Sequence, residues 1–268
     1  MEGWQRLIPH FPSGSIANCA RHLKGALQKE SAMTTKRRDF METCMVGCGL
    51  VLAESFLSNG LAATQEKKVT ANEDLMREHG VLRRALLVYG AAADRLMQQP
   101  ASLPAHALAR TARLFRTFGE DYHERRLEEK IIFPAIRKLE GPVSRYADVL
   151  QQQHDRGRDL TDYVLRVAQG GNVAGSNAAP LAAALREFNL MYAHHAARED
   201  TVVFTAWKNS LSQKNYEEAG EEFEKIEKQV FGHDGFDYAS KEIASIEDEM
   251  GLSDIGRFTM NKPPENKK

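Results

Sequence analysis

The sequence predicts an all-α fold: an antiparallel, up-down-up-down four-helix bundle with extra helices at its C-terminal end. Three observations carry this. From about Ala71 onward, apolar residues recur at spacings of three and four, the repeat of a helix with one buried face. Glycines, prolines and an asparagine cut that pattern into four long segments, and no alternating pattern of useful length marks a strand. The connections are short, so successive helices must run antiparallel.

The breaks fall at Pro100/Pro104, Gly141-Pro142, Gly170-Gly171 and Asn177/Pro180, which gives helices over about 71–98, 105–139, 143–169 and 178–209. Asn177 stands where a capping side chain would satisfy the first amides of the fourth helix. Residues 215–250 add two shorter helices around Phe231-Gly232-His233-Asp234-Gly235-Phe236. The bundle domain is expected over 71–258, followed by a polar, Pro-bearing tail over 259–268 that is expected to be disordered.

Residues 1–63 read as a leader. Thr34-Thr35-Lys36-Arg37-Arg38-Asp39-Phe40 precedes an apolar run from Met45 to Leu57 and small residues at Leu61-Ala62-Ala63, the order of a removable export signal. Arg37-Arg38 with Phe40 resembles a twin-arginine signal, which implies a periplasmic or exported protein. Without a working signal the protein is cytoplasmic. The run is too short to span a bilayer and is broken by Glu54. Met33 is an alternative start, and Met45-Val46-Gly47-Cys48 resembles a lipoprotein cleavage box whose apolar stretch follows the cysteine instead of preceding it.

Composition narrows the chemistry. The 268 residues carry a net charge of −1, which gives no reason to expect a nucleic-acid partner. All three cysteines, Cys19, Cys44 and Cys48, lie in the leader. Downstream metal chemistry must therefore use imidazole and carboxylate, a set that suits iron or manganese and is compatible with zinc.

Histidines and carboxylates supply that set, one group per helix. Leu75, His79, Leu82 and Leu86 share a stripe of the first helix; Leu150, His154, Thr161 and Leu165 share one on the third. Phe188, Tyr192, His195, Glu199 and Val202 line one face of the fourth. His106, at a turn, and His233, in the C-terminal loop, read as surface residues. An apolar bundle core has no use for so many inward polar groups unless something binds them. A repeat supports this: His123 to Glu128 to Phe133 matches His194 to Glu199 to Phe204 at an offset of 71. His123 and Glu128, five apart, diverge by about 140° on a regular helix. A one-residue π-bulge would bring them together. In the fourth helix regular geometry prefers His195 and the repeat register prefers His194; His195 is the expected choice.

The segments Glu78-His79, Tyr122-His123-Glu124, Glu128-Glu129 with Ile-Ile-Phe-Pro, His154 to Arg158, and His195-Ala-Ala-Arg-Glu199-Asp200 resemble the hemerythrin-like, His-His-Glu cation-binding family. The resemblance implies a bundle holding two non-haem irons on His79, His123, Glu128, His154, His195 and Glu199. Oxygen carriers of the family place a second histidine four residues after the first on the third helix, where this chain has Arg158. The resemblance thus implies binding or sensing of a small diatomic gas or oxidant (O2, NO or peroxide) rather than simple oxygen carriage. A di-iron oxidoreductase reducing peroxide or NO, served by a separate electron donor, and a structural metal site are the alternatives. No substrate pocket, reductase domain or flavin motif is evident.

Overall fold

The computed structural model describes residues 69–171 and 173–264. The expected export signal, all three cysteines and the end of the polar tail lie outside these residues.

The described residues form helices and no strand. Helix α1 spans Ala71–Gln98. Thr70 caps it, its hydroxyl accepting from the Glu73 amide at 3.3 Å, and Glu73 and Asp74 in the first turn oppose the positive end of the helix dipole. Helix α2 runs without interruption over 105–136, and α3 covers Tyr146–Ala168. Helix α4 extends over 178–209. Asn177 takes the N-cap position of α4 but makes no capping bond, because it closes a short 3-10 turn with its backbone already helical. Helices α5 (Gln213–Phe231) and α6 (Gly235–Glu249) follow. They are separated by Gly232, whose φ of +71° is the left-handed conformation a side chain resists. None of these helices is long and apolar enough to cross a membrane.

Helix α1 packs on α4 and α2, and α3 packs on α2 and α4, while α5 and α6 both lean against α1 and α2. Above the polar centre, Tyr89, Phe115, Phe188 and Tyr192 form an aromatic plug with ring centroids 4.7–5.9 Å apart. At the far end of α4, Trp207 stacks on Phe223 at 5.7 Å and pins α5 to the domain.

Two stretches depart from regular α-geometry. In α2 the residues Phe115–Ile132 are π-helical, far more than the single bulge expected, and in α4 the residues Glu199–Val203 are. Wide turns align residues five apart. Phe118, His123, Glu128 and Phe133 therefore share one face of α2, and all are buried. The π-turn in α4 also corrects the expected stripe. Val202 is turned outward at 37% exposure, and Val203 takes the inward position. On α3 the fully buried residue is likewise Val164, with Leu165 packed beside it at the edge of the core.

Candidate metal centre

The structure brings all six expected residues together. His79, His123, Glu128, His154, His195 and Glu199 are each no more than 2% exposed, and they meet from four different helices. They fall into two halves. In one, the Nε2 atoms of His79 and His123 stand 3.0 Å apart, with Glu128 Oε1 3.3 Å from His123 and Glu199 Oε2 3.5 Å from His79. In the other, the Nε2 atoms of His154 and His195 are 3.2 Å apart, with Glu128 Oε2 3.2 Å from His154 and Glu199 Oε2 2.9 Å from His195. Glu128 thus sends one oxygen to each half. None of the four oxygens of Glu128 and Glu199 has a hydrogen-bond partner. Buried carboxylate oxygens are normally satisfied, so this donor set fits a bound cation and is costly without one.

The two glutamates reach the centre by different local geometry. In α2 the wide turns begin before His123, so a residue five positions on comes into register with it. In α4 they begin only at Glu199, so the pair His195–Glu199 sits at the ordinary spacing of four. That difference of one residue decides which histidine of the pair on α4 faces the centre. His195 points into the centre; His194 is on the surface beside Arg198, 3.0 Å away, and supplies no fifth imidazole. His106 and His233 are exposed, as expected. The repeated phenylalanines also have a role that the sequence left unassigned. Phe133 stacks on His154 at 5.3 Å and Phe204 on His79 at 5.5 Å, fixing both ring planes.

Each imidazole is aimed by a second bond, made from Nδ1. His79 bonds Asp200 (2.7 Å), His123 bonds Glu78 (2.5 Å), His154 bonds Glu129 (2.9 Å) and His195 bonds the side-chain oxygen of Gln153 (2.9 Å). An acceptor on Nδ1 fixes the proton there and leaves the Nε2 lone pair free for a cation. These four acceptors make a closed ring. Glu78 precedes His79 on α1 yet serves α2; Glu129 follows Glu128 on α2 yet serves α3. Gln153 precedes His154 on α3 and serves α4, while Asp200 follows Glu199 on α4 and serves α1. Asp200→Ala frees His79 and leaves Arg83 without its carboxylate. Its metal affinity is expected to fall tenfold or more by titration with the helical content unchanged.

Arg158, in place of a second histidine on α3, does not enter the centre. Its guanidinium pairs with Glu129, with Glu124 Oε2 at 3.2 Å and with Asp155 at 2.9 Å. Glu124, Glu129 and His154 Nδ1 form a third cluster of ligand type, and Arg158 already neutralises it. Glu124 also accepts from the buried hydroxyl of Tyr192.

The ionisation pattern follows from this geometry. Burial alone would raise Glu128 and lower His123 and His154, but the carboxylate between two imidazoles outweighs it. Glu128 is held well below, and both histidines well above, their ordinary values. Burial and the charge on Glu128 push Glu199 well above the usual carboxylate range. Burial, with the neighbouring imidazole charge, keeps His195 and His79 low.

A separate buried acid, Glu120, lies one turn away. Its Oε1 accepts from Thr161 at 2.5 Å, and burial lifts it to about 7. A carboxyl raised in the folded state favours folding below its unfolded value of 4.5, and that contribution is lost as pH rises through about 7. Between pH 5 and pH 8 the metal-free protein is expected to lose about 2.5 kcal/mol that Glu120→Gln retains, measured by urea unfolding of both proteins.

The comparisons with known proteins agree with the geometry. The family model described as hemerythrin HHE cation binding domain matches residues 70–207. The chain belongs to this family. The hemerythrin HHE match runs from the cap of α1 to Trp207 and so takes in all six residues. Uncharacterized proteins of Mycobacterium bovis and of two strains of Mycobacterium tuberculosis are each 41% identical over 196 residues, 73% of this chain and 76% of their own length. No solved structure matches the chain. Membership of the hemerythrin HHE family, with buried His/Glu clusters at the centre, makes this a cation-binding helical domain.

Proposed function

We propose that His79, His123, Glu128, His154, His195 and Glu199 hold two non-haem iron ions in an antiparallel up-down-up-down bundle, and that the centre binds or senses a small diatomic gas or oxidant. The observation that carries this is the division of the donors. Two pairs of Nε2 atoms face the two oxygens of one glutamate, so Glu128 has the geometry of a bridge between two ions. Glu199 approaches a histidine of each half and would complete the pair of bridges. Four imidazoles and two shared carboxylates would hold two ions and would leave each with positions open to a small ligand. Iron, when bound, supplies the redox electrons and the open positions for O2, NO or peroxide.

The chain's own residues do the rest. The ring of Nδ1 acceptors holds the four imidazoles in one orientation, so a change of metal charge meets a site that does not have to rearrange. The aromatic plug of Tyr89, Phe115, Phe188 and Tyr192 excludes water on one side. Arg158 pairs with Glu124 and Glu129 behind His154 and offsets part of their charge.

Metal analysis and an optical spectrum on protein purified without oxygen test this reading. About two iron per chain, and a spectral change on adding O2 or NO to the reduced protein, are expected. A stable, reversible spectrum supports binding or sensing, and consumption of added reductant supports the oxidoreductase. A single zinc per chain, or no metal, overturns both and leaves a structural site.

A further inference from the structure

The six residues of the centre are buried, and one of them, His195, also lines a surface groove. A groove of about 420 Å³ lies between α3 and α4, and His195 forms part of its floor. Gln153, whose oxygen holds the His195 Nδ1, forms part of its wall. Val149 and Leu150 on α3 and Met191 on α4 give it an apolar lining, His194 and Arg198 add an imidazole and a guanidinium, and none of the lining residues is acidic. A larger groove of about 560 Å³ beside the start of α1 differs in carrying four acidic residues, Asp74, Glu224, Glu227 and Asp234, together with Arg77 and Lys228.

A groove with apolar side chains, an exposed guanidinium and a rim amide suits a small organic anion with an apolar body, and its volume lies in the range of small-molecule sites. Its position decides what that molecule does. A guest resting on His195 is one imidazole from the centre, a short path for electrons.

The geometry points to this groove as the binding site for a small aromatic hydroquinol bearing a carboxylate, which delivers electrons to the centre through His195. The inference rests on the di-iron reading for the electron transfer, but not for the binding. The carboxylate pairs with Arg198, and the ring lies against Met191 and Leu150. The hydroquinol loses two electrons and two protons and leaves as the quinone. Each of two ferric ions takes one electron, and the protons pass to water.

The test separates the groove from the metal. 2,5-Dihydroxybenzoate and neutral hydroquinone are titrated into the metal-free protein, with NMR reporting on His195 and Gln153. The carboxylated probe is expected to bind at least tenfold more tightly. Arg198→Gln is expected to erase the preference, and Met191→Trp to block both probes; Arg198 is exposed and Met191 is half-buried at the edge of the core, so the helical content of Met191→Trp is measured alongside. In iron-loaded, oxidised protein the reduction rate is expected to saturate with 2,5-dihydroxybenzoate at its binding constant, and Met191→Trp to abolish that saturation. Equal affinity of the two probes, or binding indifferent to both substitutions, overturns the proposal. So does reduction that never saturates while the groove is full. Tight, Arg198-dependent binding to a protein that takes up no redox metal leaves the groove standing and removes the di-iron reading instead.

Discussion

Glu128→Ala is expected to empty both halves of the centre at once, taking bound iron from about two per chain to well below one. Glu128 is the residue whose two oxygens address separate histidine pairs, 3.3 Å from His123 and 3.2 Å from His154. His123→Ala removes one donor from one half and is expected to lower iron below two without abolishing it. Glu199→Ala falls between these, since its closest contact, 2.9 Å, is to one half only. His106→Ala alters an exposed ring near Glu249 and is expected to leave the metal content unchanged. Metal analysis of the four variants after equal loading gives the order directly. Equal iron in all of them would falsify the ligand set.

Loading the metal-free protein is expected to release protons. Without a cation, the Glu128 charge outweighs burial and holds His123 and His154 well above the ordinary imidazole value, and burial with the Glu128 charge holds Glu199 well above the ordinary carboxylate value, so all three favour the protonated form. Metal binding needs the imidazoles neutral and both carboxylates ionised. The sign follows: a raised histidine or carboxyl keeps its proton until pH passes its folded value, so protons compete hardest at low pH. Affinity is expected to rise from pH 6 to pH 8, and proton uptake by a dilute indicator dye counts the protons during titration. Glu199→Gln carries no carboxyl proton and is expected to release about one fewer. Release of none would mean that the metal-free centre already stands in its charged, ligand-ready form.

Much of this was legible in the sequence. The breaks at Pro100/Pro104 and Gly170-Gly171 delimit α1 and α3 because proline removes an amide and glycine ends a helix cheaply. Helix α2 stops at 136, short of the expected 139, since the following residues tighten into a turn ahead of Gly141. The inward histidines were visible because an imidazole amid Leu75, Leu82 and Leu86 has no solvent to satisfy it. Two things were not. The extent of the π-helical stretch in α2 depends on tertiary packing, since the spacing of five from Phe118 to Phe133 is one that a reading at period 3.6 discards. The acceptors on Nδ1 were hidden for a different reason. Asp200, Glu129 and Gln153 look like ordinary solvated residues beside a ligand, and only the packing of a neighbouring helix shows which ring each one holds. Val202 was misread from the same cause: one wide turn at Glu199 moved the apolar position to Val203.

The closed ring of acceptors has a consequence for how the protein is made. No helix supplies a donor together with the group that steadies it. Two docked helices offer at most one oriented imidazole. The half built by Glu128, His154, His195 and Glu199 needs only α2, α3 and α4, with Glu129 and Gln153 as its acceptors, whereas the half built by His79 and His123 needs α1, α2 and α4. The whole cage therefore closes only when all four helices have docked, so one half is complete in a three-helix intermediate and the other waits for α1.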